Sequence, residues 1–458
     1  MMSLAQAAQS LDARLVGQDA HFDSVSTDSR KLDRGALFIA LRGERFDAHA
    51  FIDAVARSGA AGAMVDRAAN PEGAPLPLLV VEDTRVSLGR LAAAWRARFA
   101  IPLIAVAGSN GKTTVKEMIA AILREHAGAD RVLATEGNFN NDVGLPLTLL
   151  RLRDKHLAAV VEIGMNHPGE TASLAAIARP SIALVNNAQR EHQEFMKSVA
   201  DVAREHAALP ASLARGGVAV INADDEHADL WRAAAAQSGA SVRDFGLDSR
   251  AAVHAEYQLD QFSSRLKLHA PEGDVHIDLP VPGLHNVRNA LAAVAAALAA
   301  GASLDAAARA LGAFSAVKGR MQQKSTAGGA VVLDDTYNAN PESVHAAIEV
   351  LSACPEPRVL VLGDMGEVGE HGPAFHAEVG EHARRARLTS LLVMGELTRH
   401  CLASFGGGLH AATVEELLGA LRSYDHDGAT LLVKGSRFMR MERVVESLTA
   451  RGATGEVH

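Results

Sequence analysis

The sequence predicts an α/β protein built from about three domains, and three observations carry that reading. The chain has 458 residues, too many for a single hydrophobic core at roughly 150 residues per domain. From residue 103 onward, short apolar runs alternate with helical stretches, as expected of strands buried on both faces of a mostly parallel sheet. A loop of glycine, lysine and threonine at 108–114 joins one such run to a helix.

Composition excludes several classes. Apolar residues are 48% and charged residues 22%, an ordinary globular balance that argues against wholesale disorder. Lys and Arg total 45 against 54 Asp and Glu, and the net charge of −9 disfavours general affinity for nucleic acid or an anionic membrane. Aromatic residues, at 4%, leave few platforms for stacking bases. Two cysteines, Cys354 and Cys401, exclude a disulfide framework and a cysteine-rich metal site, and fit a reducing compartment. The N-terminus has no basic start and no continuous apolar core, so it does not read as a signal peptide. The alanine-rich stretch 290–300 is too short and too weakly apolar to span a bilayer. The expectation is a soluble cytoplasmic protein.

Taken in order, Ala36–Leu41, Gly62–Val65 and Leu76–Val81 read as strands and Phe51–Ser58 as a helix. A helical stretch after Leu88 leads to Pro102, a plausible boundary because proline ends helices. Strands are then expected at Leu103–Ala107, Leu157–Ile163, Ile182–Val185 and Val218–Ile221. Residues 252–280 alternate more like antiparallel strands, and Asn286–Ala300 reads as a helix. A second series of βαβ units has strands at Ala330–Leu333, Val359–Leu362, Leu391–Val393 and Leu431–Val433.

The strongest chemical signal is Gly108, Ser109, Asn110, Gly111, Lys112, Thr113 and Thr114, after the strand LIAVA and at the start of an amphipathic helix. Backbone N–H groups and the helix dipole favour an anion there, the lysine adds a point charge, and the threonine hydroxyl suits Mg²⁺. The loop is a short GxxGKT form, because Val106 stands where the full P-loop spacing has glycine. The asparagine-rich loop 135–146 either builds turns or grips polar substrate groups. Glu162 ends an apolar strand, where α/β folds bind ligands, and is either a Mg²⁺ ligand opposite Thr113 or a solvated strand end. His192 faces that metal or lies on the surface. Asn286 and Asn289 are helix caps or partners for an adenine edge. Further strand ends carry Asp335 and Tyr337, Asp364 and Glu367, and Lys434, Ser436 and Arg437, which together point to a shared cleft.

These motifs together resemble the Mur ligase family over essentially the whole chain. The elements are TDSR at 27–30, ALFIALRGERFDAHAFI at 36–52, GSNGKTT, GNFNNDVGLP, EIGMNHPGE, GLHNVRNALAA, DDTYNANP, LGDMGEVGE and VKGSRFMRME. Within the family, TDSR with RGERFDAHAF, DDTYNANP and LGDMGEVGE point to the member that adds the dipeptide D-Ala-D-Ala. The resemblance implies three domains: a UDP-substrate-binding domain over 1–98, an ATP-binding domain over 99–315 and a Rossmann-like domain over 316–458. It implies an ATP- and Mg²⁺-dependent amide ligase that joins D-Ala-D-Ala to UDP-N-acetylmuramoyl-tripeptide through an acyl phosphate, acting as a monomer in cytoplasmic peptidoglycan precursor synthesis. Carried over by position, Lys112 contacts the ATP phosphates, and Thr113, Glu162 and His192 lie on the metal side. Asn286 lies at adenine, and Arg320 and Asp335 reach the nucleotide from the last domain, which implies a large hinge motion. Ser29, Arg30, Gly43 and Asp47 fall in the stretch that binds the UDP-sugar, and Asn138 and Asn141 line the substrate channel. One departure concerns the carbamylated lysine of many family members. No lysine occurs between Lys197 and Lys267, and His206 or a neighbour falls at that position. Two other readings are a relative that adds a single amino acid and a nucleotide-binding module without ligase activity.

Overall fold

The computed structural model describes residues 1–43, 46–67 and 73–450. Glu44 and Arg45, inside the RGERFDAHAF motif, lie outside the described residues.

The N-terminal region forms a five-stranded sheet in the order Arg14–Val16, Leu78–Val81, Gly62–Asp66, Leu37–Ile39 and Val25–Ser26. Only its Arg14–Val16 edge is antiparallel. The first helix, Leu4–Leu11, escapes a reading by apolar runs but carries a capping box. The Ser3 hydroxyl accepts from Gln6 N, and the Gln6 side chain accepts from Ser3 N.

The central region has a six-stranded, wholly parallel sheet. Its order is Val132–Ala134, Ala158–Glu162, Leu103–Ala107, Ile182–Val185, Val218–Asn222 and Ser241–Phe245. Both faces are covered, which is why these strands read as continuous apolar runs. Leu103, Ala105 and Ala107 enter one core, while Ile104 and Val106 enter the other. The first core continues through Leu88, Leu91 and Trp95 of helix Thr84–Arg96 into Leu37, Met64 and Leu79, so the N-terminal and central regions share packing. The second is closed by helix Leu284–Ala299, which buries Val287, Leu291, Val294 and Leu298 together with a run of alanines. The alternating stretch 252–280 is a three-stranded antiparallel sheet.

The C-terminal sheet runs Gln322–Ser325, Val331–Asp335, Thr430–Lys434, Arg358–Gly363, Ser390–Met394 and Leu409–Ala411. It is parallel except for its first strand. Leu333, Leu360, Leu362 and Leu432 face one apolar layer; Val332, Val359, Val361, Leu431 and Val433 face the other. The α/β architecture expected from the sequence is thus present in all three regions.

In the central sheet Leu103–Ala107 lies between Ala158–Glu162 and Ile182–Val185, and Val106 pairs with both Glu162 and Leu184. Chain connections diverge to opposite sides of this strand, and ligands of open α/β sheets bind in such a crevice beyond the carboxyl ends. No helix among the described residues is long and apolar enough to cross a membrane.

Candidate active site at the central sheet edge

The chain leaves Ala107 through Gly108 and Gly111, whose φ angles of 138° and 84° suit glycine. A Cβ on Gly111 would stand 2.4 Å from Asn289 Oδ1 and 2.7 Å from Asn186 Nδ2. Position 111 therefore needs glycine for space as well as for backbone angle. The loop after strand Ile182–Val185 braces the turn. Asn186 Nδ2 donates to Asn110 O at 2.8 Å and to Asn289 Oδ1 at 3.1 Å, and Asn187 Oδ1 accepts from Asn110 N at 2.8 Å. Ser109 Oγ accepts from Gln189 N at 2.8 Å. Helix Lys112–Ala127 begins directly from this turn, so its unpaired first N–H groups border the crevice.

Lys112 folds back over the loop. Its Nζ donates to Gly108 O, to Ser109 O at 3.2 Å and to Glu191 Oε2 at 3.3 Å. Glu191 is 7% exposed, and its other oxygen stands 3.2 Å from His206 Nε2. Burial pushes the Glu191 carboxyl up, but Lys112, His206 and His192 outweigh it and hold the group at about 2. His206 lies on helix Val199–Ala211, which contains no lysine. His192, with a φ of 49°, places Nε2 3.7 Å from Glu191 and Nδ1 2.6 Å from Glu367 of the C-terminal region.

Thr113 and Glu162 meet as the sequence predicts. Thr113 Oγ1 donates to Glu162 Oε2 at 2.9 Å, and Asn140 Nδ2 donates to Glu162 Oε1 at 2.8 Å. The carboxylate is 3% exposed and fixed at both oxygens. Magnesium takes oxygen ligands and keeps several waters, so this hydroxyl–carboxylate pair beside a phosphate loop fits it. Among the described residues no group of three or more His, Cys, Asp or Glu side chains is arranged to hold a metal by itself.

The C-terminal region reaches the same crevice. Arg320 Nη2 donates to Thr113 Oγ1 at 3.4 Å, with its guanidinium 4.1 Å from the Tyr337 ring centroid. Asn110 and Asn340 exchange side-chain hydrogen bonds of 3.2 and 3.1 Å. Arg190 donates to Glu342, and its two terminal nitrogens donate to Glu378 at 2.8 and 2.9 Å. Asp335 accepts from Lys434 Nζ and from Met321 N at 3.1 Å. Burial pushes the Lys434 ammonium down, and Asp335 pulls it back up.

The remaining sequence-selected residues lie elsewhere or perform local work. Arg30 forks onto its own neighbour Asp28 with two 2.9 Å bonds, Ser29 sits in the same turn, and Asp28 is held at about 2 by that guanidinium. Gly43 and Asp47 belong to two short strands, Arg42–Gly43 and Phe46–Asp47, paired antiparallel, and Asp47 accepts from His49 N at 3.0 Å. Asn141 accepts from Gly144 N at 2.8 Å and so heads helix Gly144–Leu149, while Asn138 is exposed. Neither Asn286 nor Asn289 is an N-cap. The cap is Gly283, so both lie inside the helix, which begins at Leu284, before the expected start at Asn286. Asn286 Nδ2 donates to Pro282 O at 2.8 Å, and Asn289 Nδ2 donates to Asn286 Oδ1 at 3.2 Å. Sequence reasoning passed over Asn140, Asn186, Asn187 and Glu191. Asn140 stood within the same loop motif, and Glu191 directly precedes His192.

Comparison with known proteins finds relatives along the whole chain. Three family models cover the chain in sequence: Mur ligase family, catalytic domain, at 21–96; Mur ligase middle domain at 106–297; and Mur ligase, glutamate ligase domain, at 319–437. UDP-N-acetylmuramoyl-tripeptide–D-alanyl-D-alanine ligase of Escherichia coli K12 is 40% identical over 98% of this chain and 99% of its own. The enzyme of the same name from Haemophilus influenzae is 39% identical over 98% of each. A crystal structure of MurF from Acinetobacter baumannii superposes with a TM-score of 0.89 at 33% identity, over 98% of both chains. MurF ligase from Thermotoga maritima in complex with ADP gives 0.82 at 26% identity, over 94% of this chain and 98% of that one. With this identity sustained end to end, the chain belongs to the Mur ligase family.

Proposed function

We propose that this chain is an ATP-dependent ligase that joins D-Ala-D-Ala to UDP-N-acetylmuramoyl-tripeptide in peptidoglycan precursor synthesis, forming an amide with release of ADP and phosphate. The observation that carries it is the pairing of Thr113 with Glu162 beside Lys112, met from the C-terminal region by Arg320. Relatives named for this reaction align over nearly the full chain. ATP use rests further on the ADP-bound relative.

A carboxylate is a poor electrophile until one oxygen becomes a leaving group. A carboxylate oxygen of the tripeptide attacks the γ-phosphorus of ATP, and the bond to the departing ADP oxygen breaks. The dipeptide amine then attacks the acyl carbon. A C–N bond forms, the C–O bond to phosphate breaks, and the amine proton passes to solvent. The protein supplies position and charge for both displacements. In this reading Lys112 and the unpaired N–H groups that open its helix after the Gly108–Gly111 turn cradle the phosphates, and Arg320 balances charge from the opposite wall. Magnesium would be held by Thr113 and Glu162, with His192 proposed on the metal side through Glu191, and would neutralise phosphate charge when bound. Asn286 lies toward adenine, and Asp335 acts by fixing Lys434 and the start of the strand that follows Arg320. Ser29, Arg30, Gly43 and Asp47 take the UDP-sugar; Asn138 and Asn141 border the peptide path. Function as a cytoplasmic monomer completes the proposal.

The test is mass spectrometry of products from Mg-ATP and the UDP-linked tripeptide, offered D-Ala-D-Ala or single amino acids. A product larger by one dipeptide residue pair supports the reading. A product carrying one amino acid, or none at all, overturns it.

A further inference from the structure

Lys112 has three N–H donors, and all three are taken: two by carbonyls of its own loop and the third by Glu191. To hold a phosphate it must give up partners. Releasing Glu191 would leave a 7%-exposed carboxylate facing incoming phosphate oxygens, with His206 and His192 beside it among the described residues. An unpaired buried charge is strongly destabilising, and two like charges at contact repel. Glu191 cannot easily turn away, because His206, 1% exposed on helix Val199–Ala211, holds its second oxygen at 3.2 Å. The same helix is fixed by Trp231, whose indole N–H donates to Ala203 O at 3.0 Å.

We infer that Glu191, oriented by His206, is a positioning residue that parks Lys112 and makes its transfer to phosphate conditional on a divalent cation arriving with the nucleotide. Metal-free ATP meets an uncompensated carboxylate. Metal-bound ATP would arrive with its negative charge partly neutralised, so its approach to Glu191 meets less repulsion. The residue thereby selects the metal complex over free nucleotide before any chemistry begins. This inference rests on the nucleotide-site reading above, but not on the identity of the acceptor.

The experiment is titration of the full-length protein with a non-hydrolysable ATP analogue, followed by calorimetry, once with Mg²⁺ and once with EDTA. Wild type binds more tightly with Mg²⁺. Glu191→Gln lowers the ratio of the two affinities by at least about tenfold, chiefly by tightening the EDTA arm. A merely structural role would weaken both arms together. Should Glu191→Gln fail to fold, Glu191→Asp carries the test: the retracted carboxylate loosens its hold on Lys112, and the EDTA arm tightens several-fold. An unchanged ratio in a folded variant overturns the inference and leaves the ligase reading standing. Wild-type protein that binds the analogue in neither condition overturns both.

Discussion

Replacing Arg190 by alanine should undock the C-terminal region from the phosphate loop. Arg190 lies one residue before Glu191 and reaches across to Glu342 and Glu378. Arg190 and Glu342 are 23% and 24% exposed, so their bond counts as a half-buried, charge-assisted one of about 1.5 kcal/mol. Glu378 is 37% exposed, and solvent screening reduces its two-pronged contact to about 1 kcal/mol. The guanidinium also sits 4.8 Å from the Phe375 ring centroid, worth about 0.5 kcal/mol. Together about 3 kcal/mol is at stake, and its loss shifts the docked-to-undocked ratio roughly a hundredfold toward undocked. Small-angle scattering of Arg190→Ala should show a more extended particle without nucleotide. The KM for ATP should rise by at least about tenfold while kcat at saturation falls less. High salt should move wild type in the same direction, because these pairs are partly exposed. A variant with wild-type scattering and wild-type KM would refute the reasoning.

Glu162→Gln keeps the hydrogen bonds to Thr113 and Asn140 within reach but removes the charge, so kcat should fall about 100-fold or more, with a higher Mg²⁺ requirement read by magnesium titration. Gly111→Ala places a methyl against Asn289 and Asn186 at a left-handed φ; ATP-analogue affinity should drop, and unfolding should cost about 1–3 kcal/mol less, measured by calorimetry of the variant against wild type. Glu191 is more acidic folded than its ordinary 4.5, so its stabilisation is complete above about that pH and is lost as pH falls toward about 2. Fluorescence of Trp231, packed on the helix of His206, should report an acid transition in that window that Glu191→Gln diminishes.

The fold was largely legible because the central strands are buried on two faces and therefore appear as unbroken apolar runs. Leu103–Ala107 and Ile182–Val185 needed no tertiary knowledge. Edge strands were harder. Ser241–Phe245 has exposed and half-buried residues at four of its five positions, and Gln322–Ser325 is polar throughout, so neither writes an apolar signature. The phosphate loop was readable because glycine spacing, lysine and helix start are local. The loop's support was not, since Asn186 and Asn289 are far apart in sequence and meet only through the parallel sheet and the helix packed on it. Glu191 stayed hidden for the same reason: its partners Lys112 and His206 come from two different helices. Asn141 and Asn140 are neighbours of identical type, and only the turn geometry gives one to a helix start and the other to Glu162.

The most direct test of the central claim is phosphate release from Mg-ATP with the UDP-linked tripeptide, with and without D-Ala-D-Ala. Sustained release should require both substrates and should vanish in Lys112→Ala. Release that ignores the dipeptide, or that survives loss of Lys112, would contradict the assignment of this crevice as the ligase centre.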